Sequence, residues 1–249
     1  MSEGLCQHCV SGVRHEGTPE GKIEKIGGAE AYIATPSGDY DKTKVVIIAT
    51  DVFGIPLNNN KLLADTFAQN GYRTVVPEYL NNDPVPEDAF DAPGKFDVGA
   101  WFGRQGPSVW KPVIDSVVAA LKAEGVTRIG VTGYCYGAPP ALYLAYNNIS
   151  AATVLAHPSL LKPEDLEKYR DESKVPILIN SCETDSQFPP DFQAKADEIF
   201  KGFAPGYERL YWEGCTHGFA VRGDISDPKI KAGKEGAFEA TVKFFKKHL

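Results

Sequence analysis

The chain has 249 residues, 43% of them hydrophobic and 24% charged, which is a globular composition with enough apolar material for a large core and excludes a disordered or collagen-like chain. Its formal charge of −7 gives no general attraction to phosphate backbones or anionic lipids, so neither nucleic acid nor a membrane surface is an expected partner. No apolar run approaches the roughly 18–20 residues that span a bilayer, and the start MSEGLCQHCVSGVRHEG lacks the apolar core of a secretory signal, so a cytoplasmic protein is expected, monomeric or a small homo-oligomer.

Residues 1–20 read as a polar leader. Five cysteines in a long chain without a signal fit reduced thiols better than a disulfide framework. Cys6, His8, Cys9 and His15 offer sulfur and imidazole ligands of the kind zinc takes, but the second half of a paired-cysteine site is missing. No metal or other cofactor is expected.

Beyond the leader, residues 23–35 read as an antiparallel strand pair turned at Gly27-Gly28, placed at a sheet edge. Short β-branched runs follow at 44–50 (KVVIIAT), 73–77 (RTVVP), 127–132 (TRIGVT), 151–156 (AATVLA), 175–180 (VPILIN) and 208–212 (ERLYW). Segments with helical spacing alternate with them at 59–69, 108–123, 138–146, 163–169 and 191–201, and a last one covers 233–248. In that last helix Phe238, Val242, Phe245 and Leu249 share one face. The alternation predicts a single α/β domain over 1–249, with a mainly parallel central sheet covered by helices on both faces.

Residues 81–112 break the alternation. Pro, Gly, Asp and Asn are interspersed there with Phe90, Phe96, Trp101, Phe102 and Trp110, too many rings for a linker. A long insertion after a parallel strand lies over the carboxyl edge of the sheet, where open α/β folds bind ligands, so the segment is expected to form a partial lid.

Gly133-Tyr134-Cys135-Tyr136-Gly137 follows the strand at 127–132 and opens a helix. A turn of this kind lifts one side chain above the sheet, and flanking glycines let the backbone pass close to its neighbours. Cys135 at a helix amino terminus gains from the dipole and from unpaired amides. A cysteine of ordinary pKa is only about 3% ionised at neutral pH, so a base is still required. In a nucleophile–acid–histidine order the partners come later, at the ends of successive strands. The loop after VPILIN offers Glu183 and Asp185, of which the shorter Asp185, held before Pro189, is the better acid for fixing an imidazole tautomer. The loop after ERLYW offers His217 among small residues. His157, directly after the nucleophile's helix and strand, is the serious rival, but it precedes the acid and is assigned to the pocket wall or to a structural hydrogen bond. Oxyanion donors are expected from the amides of Tyr136 and of Val52, in the loop after KVVIIAT. Asp51 beside it either acts on the thiol, as a like charge or as a proton acceptor, or caps the following helix.

D-V-F-G at 51–54, G-Y-C-Y-G at 133–137, D-x-x-x-P at 185–189 and H-G-F-A at 217–220 together resemble the dienelactone hydrolase family, also called carboxymethylenebutenolidase-like, within the α/β-hydrolase fold. The resemblance implies a Cys-His-Asp triad of Cys135, His217 and Asp185, a thioester acyl-enzyme and no cofactor. Where the family has Glu this chain has Asp51, and where dienelactone-cleaving members are expected to carry two arginines it has Asn82 and Val221. Arg222 is one step late, and Arg104 is a substitute from the lid. Loss of a bidentate carboxylate clamp favours an uncharged lactone or small ester, in a pocket expected to involve Asp51, Phe53, Trp101, Arg104, His157, Phe219 and Arg222. Two other readings are a non-catalytic ligand-binding protein that keeps the fold, and a thiol-redox or metal protein that uses the leader cysteines.

Overall fold

A computed structural model describes residues 16–92 and 94–249, so the leader residues weighed as zinc ligands, Cys6, His8, Cys9 and His15, lie outside the described residues. Eight strands form one sheet: β1 (Lys22–Ile26), β2 (Ala29–Ala34), β3 (Lys44–Ala49), β4 (Arg73–Pro77), β5 (Arg128–Tyr134), β6 (Ala152–Ala156), β7 (Ile177–Thr184) and β8 (Tyr207–Thr216). Their spatial order is β1-β2-β4-β3-β5-β6-β7-β8. The β1–β2 and β2–β4 pairs are antiparallel and the other five are parallel, so the expected hairpin does form one edge.

The inner parallel strands are buried on both faces, which is why β3 and β6 read as continuous apolar runs, whereas the edge strand β8 mixes polar and apolar residues. The crossovers between them run through α1 (Asn58–Gln69), α2 (Val98–Arg104), α3 (Pro107–Ala123), α4 (Ala138–Tyr146), α5 (Pro163–Glu172) and α6 (Pro190–Ile199), with the short α7 (Phe219–Arg222) and the terminal α8 (Pro228–His248) after β8. Helix α8 starts five residues earlier than its apolar spacing suggests. Asp227 caps it by accepting from the amides of Lys229 and Ile230, and Pro228 fills the first turn, where no N–H is needed. Its predicted face is buried: the Phe238 and Phe245 rings pack on Phe67 of α1 at 4.8 and 6.0 Å. Among the described residues no helix is long and apolar enough to cross a membrane.

Two differences from the sequence expectation position the site. β7 and β8 run four residues further than their apolar cores, to Thr184 and Thr216, which pair across a register shift after Cys182. Within 81–112 a helix forms, α2, capped by Asp97. Strand residues are recognised by apolar runs, and the polar extensions carry no such signal.

Candidate active site

The centre is the turn after β5. Cys135 begins a single 3-10 turn, Cys135–Gly137, that leads into α4, and it takes a left-handed backbone with φ 50°. The flanking glycines are sterically required: a Cβ on Gly133 would lie 2.5 Å from the Gly137 carbonyl oxygen, and one on Gly137 would collide with the Ala49 carbonyl at the end of β3. Cys135 is 8% exposed.

β5 pairs with β6 up to Tyr134 and Ala156, so the residues just past Ala156 emerge beside the cysteine. His157 (φ 39°) and Leu160 (φ 61°) are also left-handed, and the Ser159 amide donates to the Cys135 carbonyl. Ser159 was not singled out in the sequence. Its hydroxyl oxygen lies 3.2 Å from Cys135 Sγ and 3.4 Å from His217 Nε2. A hydroxyl three residues past the partner strand's end was the available signal, but serine is too common in loops for that to stand out.

His217 and Asp185 each follow the last paired residue of a strand, Thr216 of β8 and Thr184 of β7. The His217 amide donates to the Thr184 carbonyl, and Asp185 Oδ1 lies 2.9 Å from His217 Nδ1. The same carboxylate oxygen accepts from the amides of Gln187 and Phe188, which fixes its orientation. Glu183 is turned away and accepts from the Gly214 amide at the irregular end of the β7–β8 pair. Burial of the His217 ring lowers its pKa, but hydrogen bonding to Asp185 and to Cys135, with the charges of both, outweighs that and raises it to about 9. With Nδ1–H donating to Asp185, the neutral ring presents Nε2 as an acceptor toward Ser159.

His157 is fully buried and meets His217 edge-on, with ring centroids 5.1 Å apart, while Phe219 packs edge-on against it at 5.6 Å. Among the described residues neither His157 ring nitrogen has a hydrogen-bond partner, so the structural hydrogen bond considered for this side chain is not made. Burial first, then the nearby His217 and Arg222, hold His157 well below the usual imidazole range, and it is neutral.

On the other side of the turn, Asp51 is fully buried. Its carboxylate accepts from the Phe53 amide, from Asn60 Nδ2 and, at 3.2 Å, from Arg222 Nε. Burial raises its pKa, and the Arg222 charge opposes that rise. The Arg222 guanidinium also lies over the Phe53 ring, 4.7 Å from its centroid. The short helix that carries Arg222 is pinned by a feature with no sequence signature: the Val221 carbonyl accepts from Asn59 Nδ2 and from the buried Lys234 Nζ. Val52 and Tyr136 occupy matching places, each three residues beyond the paired Ala49 and Gly133 of adjacent strands.

Residues 81–112 touch this turn through rings. Trp101 is fully buried, packs edge-on on Tyr136 with centroids 5.2 Å apart, and donates its Nε1–H to the Asp83 carbonyl. Phe90 stands edge-on against Phe53 at 6.0 Å. Arg104 is paired with Asp83 of the same segment at 2.6 Å on an exposed surface, so its guanidinium is engaged away from the cysteine. Among the described residues no cluster of three or more His, Cys, Asp or Glu could hold a metal ion.

A sequence profile of the dienelactone hydrolase family matches residues 29–249. The chain belongs to the dienelactone hydrolase family. Among curated relatives, hydrolase pyvD of Aspergillus violaceofuscus is 30% identical over 244 residues, covering 98% of this chain and 96% of that protein. Dienlactone hydrolase 1 of Gibberella moniliformis is 28% identical over 247 residues, covering 96% and 92%. Among solved structures, a dienelactone hydrolase-like promiscuous phosphotriesterase, P91, from metagenomic libraries superposes with a TM-score of 0.67 at 16% identity, over 91% of this chain and 96% of that one, a likeness of fold. As a member of the dienelactone hydrolase family the protein is a hydrolase of ester or lactone bonds.

Proposed function

We propose that the protein cleaves small, uncharged esters or lactones through a Cys135 nucleophile, with His217 as base and Asp185 orienting it. The observation that carries this reading is the unbroken line of contacts from Cys135 Sγ through Ser159 Oγ to His217 Nε2, and from His217 Nδ1 to Asp185. Transfer of the thiol proton to the ring gives a thiolate and an imidazolium, a state that the nearby Asp185 carboxylate favours. The thiolate attacks the acyl carbon, and the Val52 and Tyr136 amides donate to the oxyanion that forms. The intermediate collapses to a thioester as the imidazolium protonates the leaving alkoxide; in a lactone this oxygen stays tethered to the acyl group. His217 then takes a proton from water, the hydroxide attacks the thioester, and the carboxylic acid leaves as the thiol is restored.

The preference for uncharged substrates rests on what the nearby cations already hold. Arg222 is engaged by Asp51 and Arg104 by Asp83, so a substrate carboxylate would have to displace a side-chain carboxylate to reach either. In this reading the segment 81–112 is the partial lid, with the exposed Phe90 on its apolar side and the fully buried Trp101 anchoring it behind Tyr136.

Cys135→Ala tests the assignment with a generic aryl acetate as substrate. Turnover is expected to fall to the uncatalysed background while the thermal midpoint stays near that of the wild type. Wild-type rates in the variant would overturn the nucleophile assignment.

A further inference from the structure

Cys135 Sγ and His217 Nε2 each hydrogen-bond the same third group, the hydroxyl of Ser159, at 3.2 and 3.4 Å. That hydroxyl is 4% exposed at the residue level, and its backbone is tied to the nucleophile by the Ser159 amide donating to the Cys135 carbonyl, so it cannot drift from the pair. Its position is set by the strand order, because Ser159 follows the end of β6, the direct neighbour of β5.

We propose that Ser159 relays the proton between the Cys135 thiol and the His217 ring. The idea rests on the thiol–histidine reading above and adds a third party to it. A serine hydroxyl is one donor and two acceptors, so it can serve both charge states of the pair. In the neutral state the thiol S–H donates to Oγ while the serine O–H donates to Nε2. When the serine proton moves to Nε2, the thiol proton moves to Oγ; the S–H and one O–H bond break, a new O–H and an N–H bond form, and no electrons are gained or lost. Afterwards the imidazolium N–H donates to Oγ and the serine O–H donates to the thiolate, so each group that was a donor has become an acceptor without moving. The reverse transfer returns the proton once the thiol leaves the acyl group. An alanine offers neither function, and a threonine offers both.

The ionisable neighbours that shape the same proton are Asp185 on Nδ1, the neutral His157 edge-on to the ring, Arg222 beyond it, and the buried Tyr79 near the sulfur. None of them bridges Sγ and Nε2, whose direct contact is the competing path for the same proton. Loss of the hydroxyl is therefore visible in how thiolate reactivity depends on pH, and the number of protons in flight separates a relay from a serine that only hydrogen-bonds the thiolate.

The test follows alkylation of Cys135 by iodoacetamide, read on the Cys135 peptide by mass spectrometry across pH, in the wild type, Ser159→Ala and Ser159→Thr, beside aryl acetate turnover. Ser159→Ala is expected to alkylate about tenfold more slowly at neutral pH, with the half-maximal point of the profile displaced upward by about one pH unit, and to lose turnover in parallel. Ser159→Thr is expected to restore most of both. An alanine profile that superimposes on the wild type would mean that the proton passes directly between sulfur and ring, and the relay is wrong. Should the alanine variant fail to fold, rates of the wild-type enzyme in mixtures of light and heavy water decide: a curved dependence, from two protons in flight, supports the relay and a linear one overturns it. Cys135→Ala separates the two levels, since retained turnover there sinks the nucleophile, whereas an inactive Cys135→Ala beside an unchanged Ser159→Ala sinks only the relay.

Discussion

Two regions close around the Cys135 turn by different means. The ends of β7 and β8 are held by backbone: Thr184 pairs with Thr216, the His217 amide donates to Thr184, and two amides fix Asp185. Residues 81–112 are held mainly by side chains, with Trp101 packed on Tyr136, Phe90 on Phe53, and an exposed ion pair between Arg104 and Asp83, beside one backbone tie, the Val85 amide donating to the Val52 carbonyl. Ladder hydrogen bonds allow one register, because a slip of one residue would turn every strand side chain to the wrong face. Ring packing tolerates small shifts and swaps of similar volume. Under the proposed mechanism the acid and the base therefore stand on backbone-paired strand ends, and the proposed partial lid on a segment held mainly by packing.

The contrast is broken hardest at Asp185. Asp185→Asn leaves the shape but can present an amide donor to Nδ1, which selects the wrong tautomer, and turnover is expected to fall by about 10³–10⁴-fold. The same variant loses the bond that opposes burial of the ring, so the His217 titration, followed by NMR, should drop from about 9 toward or below its ordinary value. His217 is raised in the folded protein, so its contribution is complete below its unfolded pKa of roughly 6.5 and is lost as pH rises toward 9; Asp185→Asn should flatten that decline in denaturant titrations. Near-wild-type turnover in this variant would place the acid elsewhere.

The next effect tests the packed region. Trp101→Ala empties a fully buried site and is expected to cost about 3–5 kcal/mol in urea denaturation. A loss below about 1 kcal/mol would mean that the segment is not anchored through this ring. The smallest effect is expected at Arg104→Ala, because the pair with Asp83 is solvent-exposed and such pairs contribute little. The thermal midpoint and turnover of a neutral lactone should be unchanged. A selective loss on a carboxylate-bearing lactone would instead make Arg104 part of substrate recognition.

The same division decides what was readable in the sequence. The inner strands announce themselves as apolar runs, and Cys135, Asp185 and His217 each follow a strand that could be read from the sequence, so the sheet and the proposed site at its edge could be inferred together. The four-residue extensions of β7 and β8 could not, since SCET and EGCT carry polar residues whose strand state comes from pairing with each other. Ser159 and the Lys234 contact to Val221 were also invisible, because a hydroxyl or an amine acquires meaning only from what folding brings beside it. Arg222 shows the limit of counting along a motif: one position late in the chain, it still reaches Asp51, because the short α7 turns it back toward β3.

Cys135, His157 and Leu160 all hold left-handed backbone although none is glycine, which costs on the order of 1–3 kcal/mol at each. Heat tolerance could thus be bred into this scaffold by relaxing Leu160, whose side chain is nearly half exposed, whereas the same relief at Cys135 would remove the sulfur that the proposed mechanism uses. Ruggedness and reactivity compete here over a handful of torsion angles, and only one of the three can be surrendered without touching the rings and sulfur beneath.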